Sequence, residues 1–235
     1  MTALNVFVQP KARAGYIVVD AAFTSDDGCV TEIGSKVVQG GGRFPWALGV
    51  TGNVSAVAVG RELLTVGVAS LKQLERRLIP AMHRAIAATA AAFPDTPLVN
   101  CGVRGVAWDF AAKKPIGFTV MSHPDLLIPG AAPFTFYRCD AMVTCDHVDG
   151  LAGLLGRPLD LVDMRDPERF AADTDGLALI EAQRRTPYVC TIPGVDASVK
   201  HRIGGEAHLV TVTRHGVRIE GLREWSDRIG ERIMP

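Results

Sequence analysis

The first residue of this chain that could do chemistry is Thr2, which opens the stretch MTALNVFV directly behind Met1. A threonine hydroxyl is a weak nucleophile at its ordinary pKa and needs an adjacent base. A free α-amino group on the same residue can serve, because it titrates near about 7.7–8.0. That chemistry requires the removal of Met1, which is generally trimmed when the next residue is small. With Met1 retained, Thr2 is an ordinary residue at the start of a strand, where threonine is common.

Other chemistries fit the sequence less well. The five cysteines, Cys29, Cys101, Cys139, Cys145 and Cys190, are widely spaced without a CxxC pair. They read as reduced thiols of a cytoplasmic protein. Cys139, Cys145 and His147 fall close together, but their spacing matches no standard zinc motif. They read as buried small hydrophobes, and neither a metal nor a cofactor is expected. Ser198 and His208 lack a G-x-S-x-G elbow, and His208 sits on an alternating strand, where a structural role is expected. The glycine run Gly40–Arg43 lacks the GK[ST] end and following helix of a phosphate loop.

Charge and hydropathy narrow the function classes further. Lys+Arg and Asp+Glu number 25 each, with no basic run, so a nucleic-acid partner is not expected. Near-zero net charge permits self-association. No apolar stretch reaches the ~18 residues needed to cross a membrane, and no apolar core of a signal peptide follows Lys11 and Arg13. Hydrophobic residues make up 48%, enough for a substantial core.

The elements that must position Thr2 follow from periodicity. LNVFVQ alternates, with Leu4, Val6 and Val8 on one face. PKARAG is a turn, GYIVVDAAF a central buried strand, SDDG a turn, CVTEIGSKVVQ a strand and FPWALGVTG another. The first 52 residues therefore read as a four-stranded antiparallel meander. From Asn53 to Phe93 the period changes to that of helices, with a join near Ser70 and a kink or break at Pro80. Strands return in LVNCGVRGVAWD, KPIGFTVMSH and APFTFYRCDAMVTC, with AAKK as a hairpin turn. Asp146 to Thr174 reads as irregular, with short helices at best. DGLALIEAQRR is an amphipathic helix; YVCTIPG, EAHLVTVTR and GVRIEGL are closing strands. A polar tail follows from about residue 222, placed over a sheet edge or against a partner. The expectation is one α+β domain over 1–235, a four-layer α-β-β-α sandwich of two antiparallel sheets.

Element order and motifs together resemble a family: the N-terminal nucleophile hydrolases, specifically proteasome β-type subunits and bacterial proteasome-like proteases. The matching stretches are MTALNVFV, GYIVVDAAFTSDDG, TEIGSKVVQ and GVTGNVSAVAVGREL. The residue-level match spans about the first 65 residues. Asp20 and Lys36 are 16 residues apart, which is the family's separation, and Gly52 stands where the family glycine supplies a backbone N–H. The resemblance implies a threonine-type amide hydrolase, a peptidase that acts after Met1 removal and assembles as a homo-oligomer.

It also implies roles. Thr2 is nucleophile and base, and Lys36 is the electrostatic activator, since a nearby cation disfavours protonation of the amine. Asp20 orients Lys36, and Gly52 donates to the oxyanion. Family members place an aspartate and a serine before a glycine pair near the last helix. Here Gly204 and Gly205 follow KHRI, so Asp196 and Ser198 of PGVDASVK are the candidates for that supporting place. The alternative reading is an inactive protein of the same fold with a structural or assembly role. There Asp20 serves a turn, Lys36 is a solvated strand residue and Gly52 caps a strand. In the catalytic reading, Lys36→Ala abolishes amide hydrolysis and leaves the fold intact.

Overall fold

The computed structural model describes residues 2–25, 27–40, 42–96, 99–123, 131–139, 167–189 and 199–235. Asp196, Ser198, Cys145, His147 and Cys190 lie outside the described residues, as does most of the stretch read as irregular.

Strand β1 (Leu4–Gln9) pairs antiparallel with β2 (Ala14–Asp20), from Leu4↔Val19 to Gln9↔Ala14. All six residues of β1 are buried, although the sequence alternates. Leu4, Val6 and Val8 pack between two sheets. On the other face Phe7 joins a second cluster, and the two polar side chains are satisfied internally. Asn5 exchanges amide hydrogen bonds with Gln183, and Gln9 donates to the carbonyls of Pro167 and Phe170.

The expected four-stranded meander does not form. β2 ends at Asp20, and β3 (Ala22–Thr24) with β4 (Val30–Ile33) makes a small ladder of its own. β5 (Val37–Gly40) and β6 (Trp46–Gly52) belong to a different, five-stranded sheet. What reads as one strand, CVTEIGSKVVQ, is therefore split at Gly34–Lys36, where the chain passes from one sheet to another.

Two helices follow. Ser55 caps α1 (Ala56–Val66) by accepting from the Ala58 N–H, and Ser70 caps α2 (Leu71–Ala92) by accepting from Gln73. The expected break at Pro80 is absent, because α2 is continuous through it. Pro80 is exposed, and its cost in helix hydrogen bonding is offset on the opposite face, where Leu74, Leu78, Ala81, Met82 and Ala85 are buried.

β7 (Cys101–Asp109), β8 (Lys114–Met121) and β9 (Tyr137–Cys139) complete the sheet β5-β6-β7-β8-β9. Asp109 closes the β7–β8 turn by accepting from the Ala111 and Ala112 N–H groups. After a 3-10 turn at Pro167–Arg169 come α3 (Thr174–Arg185) and a short pairing of β10 (Tyr188–Val189) with β11 (Val199–Lys200). β12 (Glu206–Thr213) and β13 (Gly216–Glu224) complete a second sheet in the order β1-β2-β12-β13. The paired strands are antiparallel throughout.

Three clusters form most of the core. The sheets face each other through Leu4, Val6, Ile17, Val19, Ala47, Val106, Val210 and Val212. The outer face of the five-stranded sheet, with Trp46, Leu48 and Val103, packs on α1 and α2 through Val59, Leu63, Leu74, Leu78 and Met82. The outer face of the other sheet, with Phe7, Val18 and Leu209, packs on α3 through Leu179, Ile180 and Ala182. Each fully buried valine, leucine, isoleucine, phenylalanine or methionine among them contributes about 1.5–3 kcal/mol relative to exposure.

The segment after β13 folds back onto the small ladder. The Gly230 N–H donates to Val30 O and the Val30 N–H to Glu231 O, and Ile233 is buried against Ala22 and Val30. Trp225 is half-buried, stacked under Arg184.

Candidate functional site

Asp20 ends β2 and Lys36 stands one residue before β5, so each lies where the chain leaves a sheet. Both side chains are buried, with 0% and 2% exposure. Lys36 Nζ donates to Asp20 Oδ1 at 3.0 Å and to Oδ2 at 2.9 Å. The two oxygens also accept backbone N–H groups, Oδ1 from Ala3 at 2.9 Å and Oδ2 from Gly204 at 3.3 Å. Burial pushes the Asp20 carboxyl above its ordinary value, and Lys36 and the Gly204 and Ala3 N–H groups reduce that rise without cancelling it. Among the described residues the two oxygens face four donor contacts, an arrangement that suits a carboxylate. The Phe23 ring lies 5.2 Å from Lys36 Nζ, an apolar wall with an attractive face.

Thr2 is tied to this pair through the backbone. It precedes Ala3, whose N–H binds Asp20 and whose carbonyl accepts the Asp20 N–H at 3.3 Å. One residue further, Leu4 lies across Gly49 of β6, so closely that a Cβ on Gly49 would sit 2.5 Å from Leu4 Cδ1. Gly49 pairs with Val37, the neighbour of Lys36, and Gly52 ends the same strand three residues on. Thr2, Asp20, Lys36 and Gly52 are thereby brought to one end of the two facing sheets.

Gly52 has a φ of 98°, a conformation that L side chains rarely adopt. The next residue, Asn53, donates its N–H to Asn100 O at 3.1 Å and Asn100 Oδ1 at 3.2 Å. Backbone directions alternate along an antiparallel ladder. The Gly52 N–H therefore faces away from β7, towards the side where pairing with β5 has already ended at Val37. That leaves the Gly52 N–H outside the β6–β7 ladder.

The sequence reading pointed to the glycine pair but missed what it does. Gly204 gives its N–H to Asp20, and its carbonyl accepts from Ala21 at 3.2 Å and Ala22 at 2.9 Å. No local pattern could show this, because the partners are 184 residues apart. Asp196 and Ser198 lie outside the described residues. His208 is paired with Glu206 at 2.7 Å on β12, and Cys139 is half-buried on β9. Among the described residues, no three His, Cys, Asp or Glu side chains come together as a metal site.

No family model matches the sequence, and no curated protein does. The fold, however, is similar to that of Anbu proteins. The Anbu (ancestral beta-subunit) structure from Yersinia bercovieri superposes with a TM-score of 0.56 at 8% identity, covering 95% of this chain and 88% of that one. The Anbu complex from Pseudomonas aeruginosa, a helical assembly, gives 0.57 at 10% identity over 97% and 88%. The Anbu (Gly-1) mutant from Hyphomicrobium sp. strain MC1 gives 0.57 at 12% identity over 96% and 88%.

These likenesses correct the family resemblance drawn from the sequence. The matched structures are Anbu proteins, proteasome-like but a distinct family from the proteasome β-type subunits named above. The order of strands and helices belongs to the whole fold, so it did not distinguish one family from another. An identity of 8–12% shows the fold and no more.

Proposed function

We propose that this chain is an amide hydrolase acting on peptides, with Thr2 as nucleophile once cleavage between Met1 and Thr2 frees its amine. The observation that carries the reading is the buried Lys36–Asp20 pair locked to the Ala3 N–H, one peptide unit from Thr2. A fully buried lysine at a sheet crossing is costly unless paired, and its place beside the start of β1 gives the cost a purpose.

The roles follow from the chemistry. Thr2 Oγ1 attacks the substrate carbonyl carbon while its proton passes to the Thr2 α-amine. The Lys36 ammonium disfavours protonation of the resting amine and stabilises the alkoxide character of Oγ1 as attack proceeds. Asp20 fixes the ammonium, and the Gly52 N–H receives the tetrahedral oxyanion. The α-ammonium then protonates the leaving amine, which departs with its bonding electrons. Water, deprotonated by the α-amine, hydrolyses the Thr2 ester and releases the carboxylic acid. In this reading the chain is a single domain of four layers, α-β-β-α, and works as a homo-oligomer. The neighbour described as a helical assembly supports self-association. Asp196 and Ser198 remain the proposed supporting residues, and no cofactor is invoked.

A second reading, an assembly role without turnover, rests on a specific observation: both Asp20 oxygens are engaged by groups that also tie the fold together. Intact mass and active-site acylation separate the two. The hydrolase reading expects the untagged protein to lack Met1, and a β-lactone acylating agent to add once, at Thr2 in wild type and nowhere in Thr2→Ala. Retained Met1, or acylation indifferent to Thr2→Ala, overturns it in favour of the assembly role.

A further inference from the structure

Asp20 is held from two directions, and the second leads away from the candidate site. The Gly204 peptide that donates to Asp20 rests on an ion pair between α3 and the segment after β13. Arg184, the penultimate residue of α3, and Asp227 are both nearly buried, at 7% and 5% side-chain exposure. Arg184 Nη1 donates to Asp227 Oδ2 at 2.7 Å and to Ile203 O at 2.9 Å. Its Nη2 donates to Asp227 Oδ1 and Met234 O, both at 2.8 Å. This is the two-pronged carboxylate geometry that arginine supplies and lysine does not.

The pair presses directly on the glycines. Asp227 Oδ2 also accepts the Gly205 N–H at 2.7 Å, and the Trp225 N–H donates to Gly205 O at 2.9 Å. A Cβ placed on Gly204 would lie 2.3 Å from Asp227 Oδ2 and 2.4 Å from Arg184 Nη1. The Trp225 ring closes the far side, 4.9 Å from the guanidinium. Ile203 and Gly205 are thus gripped on either side of Gly204, and Gly204 meets Asp20.

We propose that Arg184 and Asp227 are positioning residues for the Asp20–Lys36 site, fixing the Gly204 N–H on Asp20 so that the site is complete only when the Trp225–Ile233 segment is docked. Neither side chain touches the reacting atoms. Their effect runs through Gly204 to Asp20, from Asp20 to Lys36 Nζ, and through the Ala3 N–H to the start of β1. The consequence for turnover rests on the hydrolase reading above; the consequence for Asp20 does not.

The test uses charge-conserving variants of the full chain, Arg184→Lys and Asp227→Glu, so that long-range electrostatics at Asp20 hold nearly constant. Carbon-detected NMR follows the Asp20 carboxyl against pH. Both variants are expected to raise its titration midpoint by about 0.5–1 unit, the size of one lost backbone donor. In the processed chain kcat falls roughly ten- to a hundredfold with KM unchanged, as for a small displacement of a catalytic group. An unmoved Asp20 midpoint in a folded variant, with a lowered melting temperature, overturns the proposal and leaves the pair a brace for the fold. If Arg184→Lys does not fold, Asp227→Glu gives the same reading. If wild type shows no peptide turnover, the hydrolase reading falls and the Asp20 midpoint alone decides this one.

Discussion

Lys36 Nζ sits at nearly equal distances, 3.0 and 2.9 Å, from the two carboxylate oxygens of Asp20, and water reaches neither side chain to any extent. This changes what Lys36→Ala should do. The sequence reading placed Lys36 on a solvated strand or in an active site whose loss leaves the fold intact. Removing one partner of a buried pair strands the other charge, at a cost of about 3–5 kcal/mol. Urea unfolding of Lys36→Ala is expected to show a loss of that size and, where the processed chain hydrolyses peptides, the loss of that activity with it. Lys36→Met with Asp20→Asn should recover part of it, because no charge remains and the new amide can still accept one of the two N–H groups. Equal stability of wild type and Lys36→Ala would show the pair to be energetically neutral.

Asn5 and Gln183 make a second long-range tie, and its prediction is about stability alone. Asn5 Nδ2 donates to Gln183 Oε1 at 2.8 Å, and Gln183 Nε2 returns a bond to Asn5 Oδ1 at 2.9 Å. Both residues are buried. Gln183→Ala leaves a buried amide without its partner and should cost about 1–3 kcal/mol. Asn5→Leu combined with Gln183→Leu should cost less than the sum of the single changes, since paired polar groups are removed together. A double-mutant cycle by chemical denaturation reads this coupling; additive losses would contradict it.

These two pairs also mark where the sequence stopped being legible. Asp20 and Lys36 were found through the family resemblance that their separation carries, but burial is not a property of spacing. The split between β4 and β5 was missed because TEIGSKVVQ was read as one alternating strand, although the polar Ser35–Lys36 and apolar Val37–Val38 pairs break the alternation at the crossing and Gly34 stands beside it. The change of sheet comes from tertiary bonding, including the Gly34 N–H to Ala21 O at 3.0 Å. The burial of Asn5 and Gln9 could not be read from the alternation of β1, because their partners, Gln183, Pro167 and Phe170, lie more than 150 residues on. Arg184 and Asp227 left no trace at all: one is a cation at a helix end, the other an acid in a polar segment. What was read correctly, two helices between Asn53 and Phe93 with a join near Ser70, depends on local periodicity; that the first ends at Val66 was not read.

Cys101 opens β7 opposite Gly52 and is buried, and burial pushes its thiol from the ordinary 9.0 up to about 12. Between those values the unfolded chain releases this proton and the folded chain keeps it. The folded state then binds more protons, so stability falls as pH rises from 9 towards 12, by up to ~1.4 kcal/mol per pH unit. The contribution is absent below pH 9. Denaturation of wild type and Cys101→Ala at pH 8 and pH 10.5 isolates it: the cavity cost of the variant should shrink at the higher pH. A stability difference independent of pH would mean that Cys101 ionises in the folded state.

Gly52→Ala tests the end of β6. The φ of 98° costs an L residue about 1–3 kcal/mol. The added Cβ would also lie 2.3 Å from Asn100 Oδ1 and 2.5 Å from Asn100 O. A side chain can swing aside, but the Asn100 carbonyl is held as acceptor of the Asn53 N–H. The end of β6 must therefore move, and the direction of the residue 52 N–H moves with it. The variant is expected to melt lower than wild type and, where the processed chain hydrolyses peptides, to lose kcat with little change in KM. Asn100→Ala added to it removes the side-chain clash and leaves the backbone one, so it should restore little of either. Full recovery of stability in that double variant would place the strain in the Asn100 side chain and free the Gly52 backbone from any required conformation.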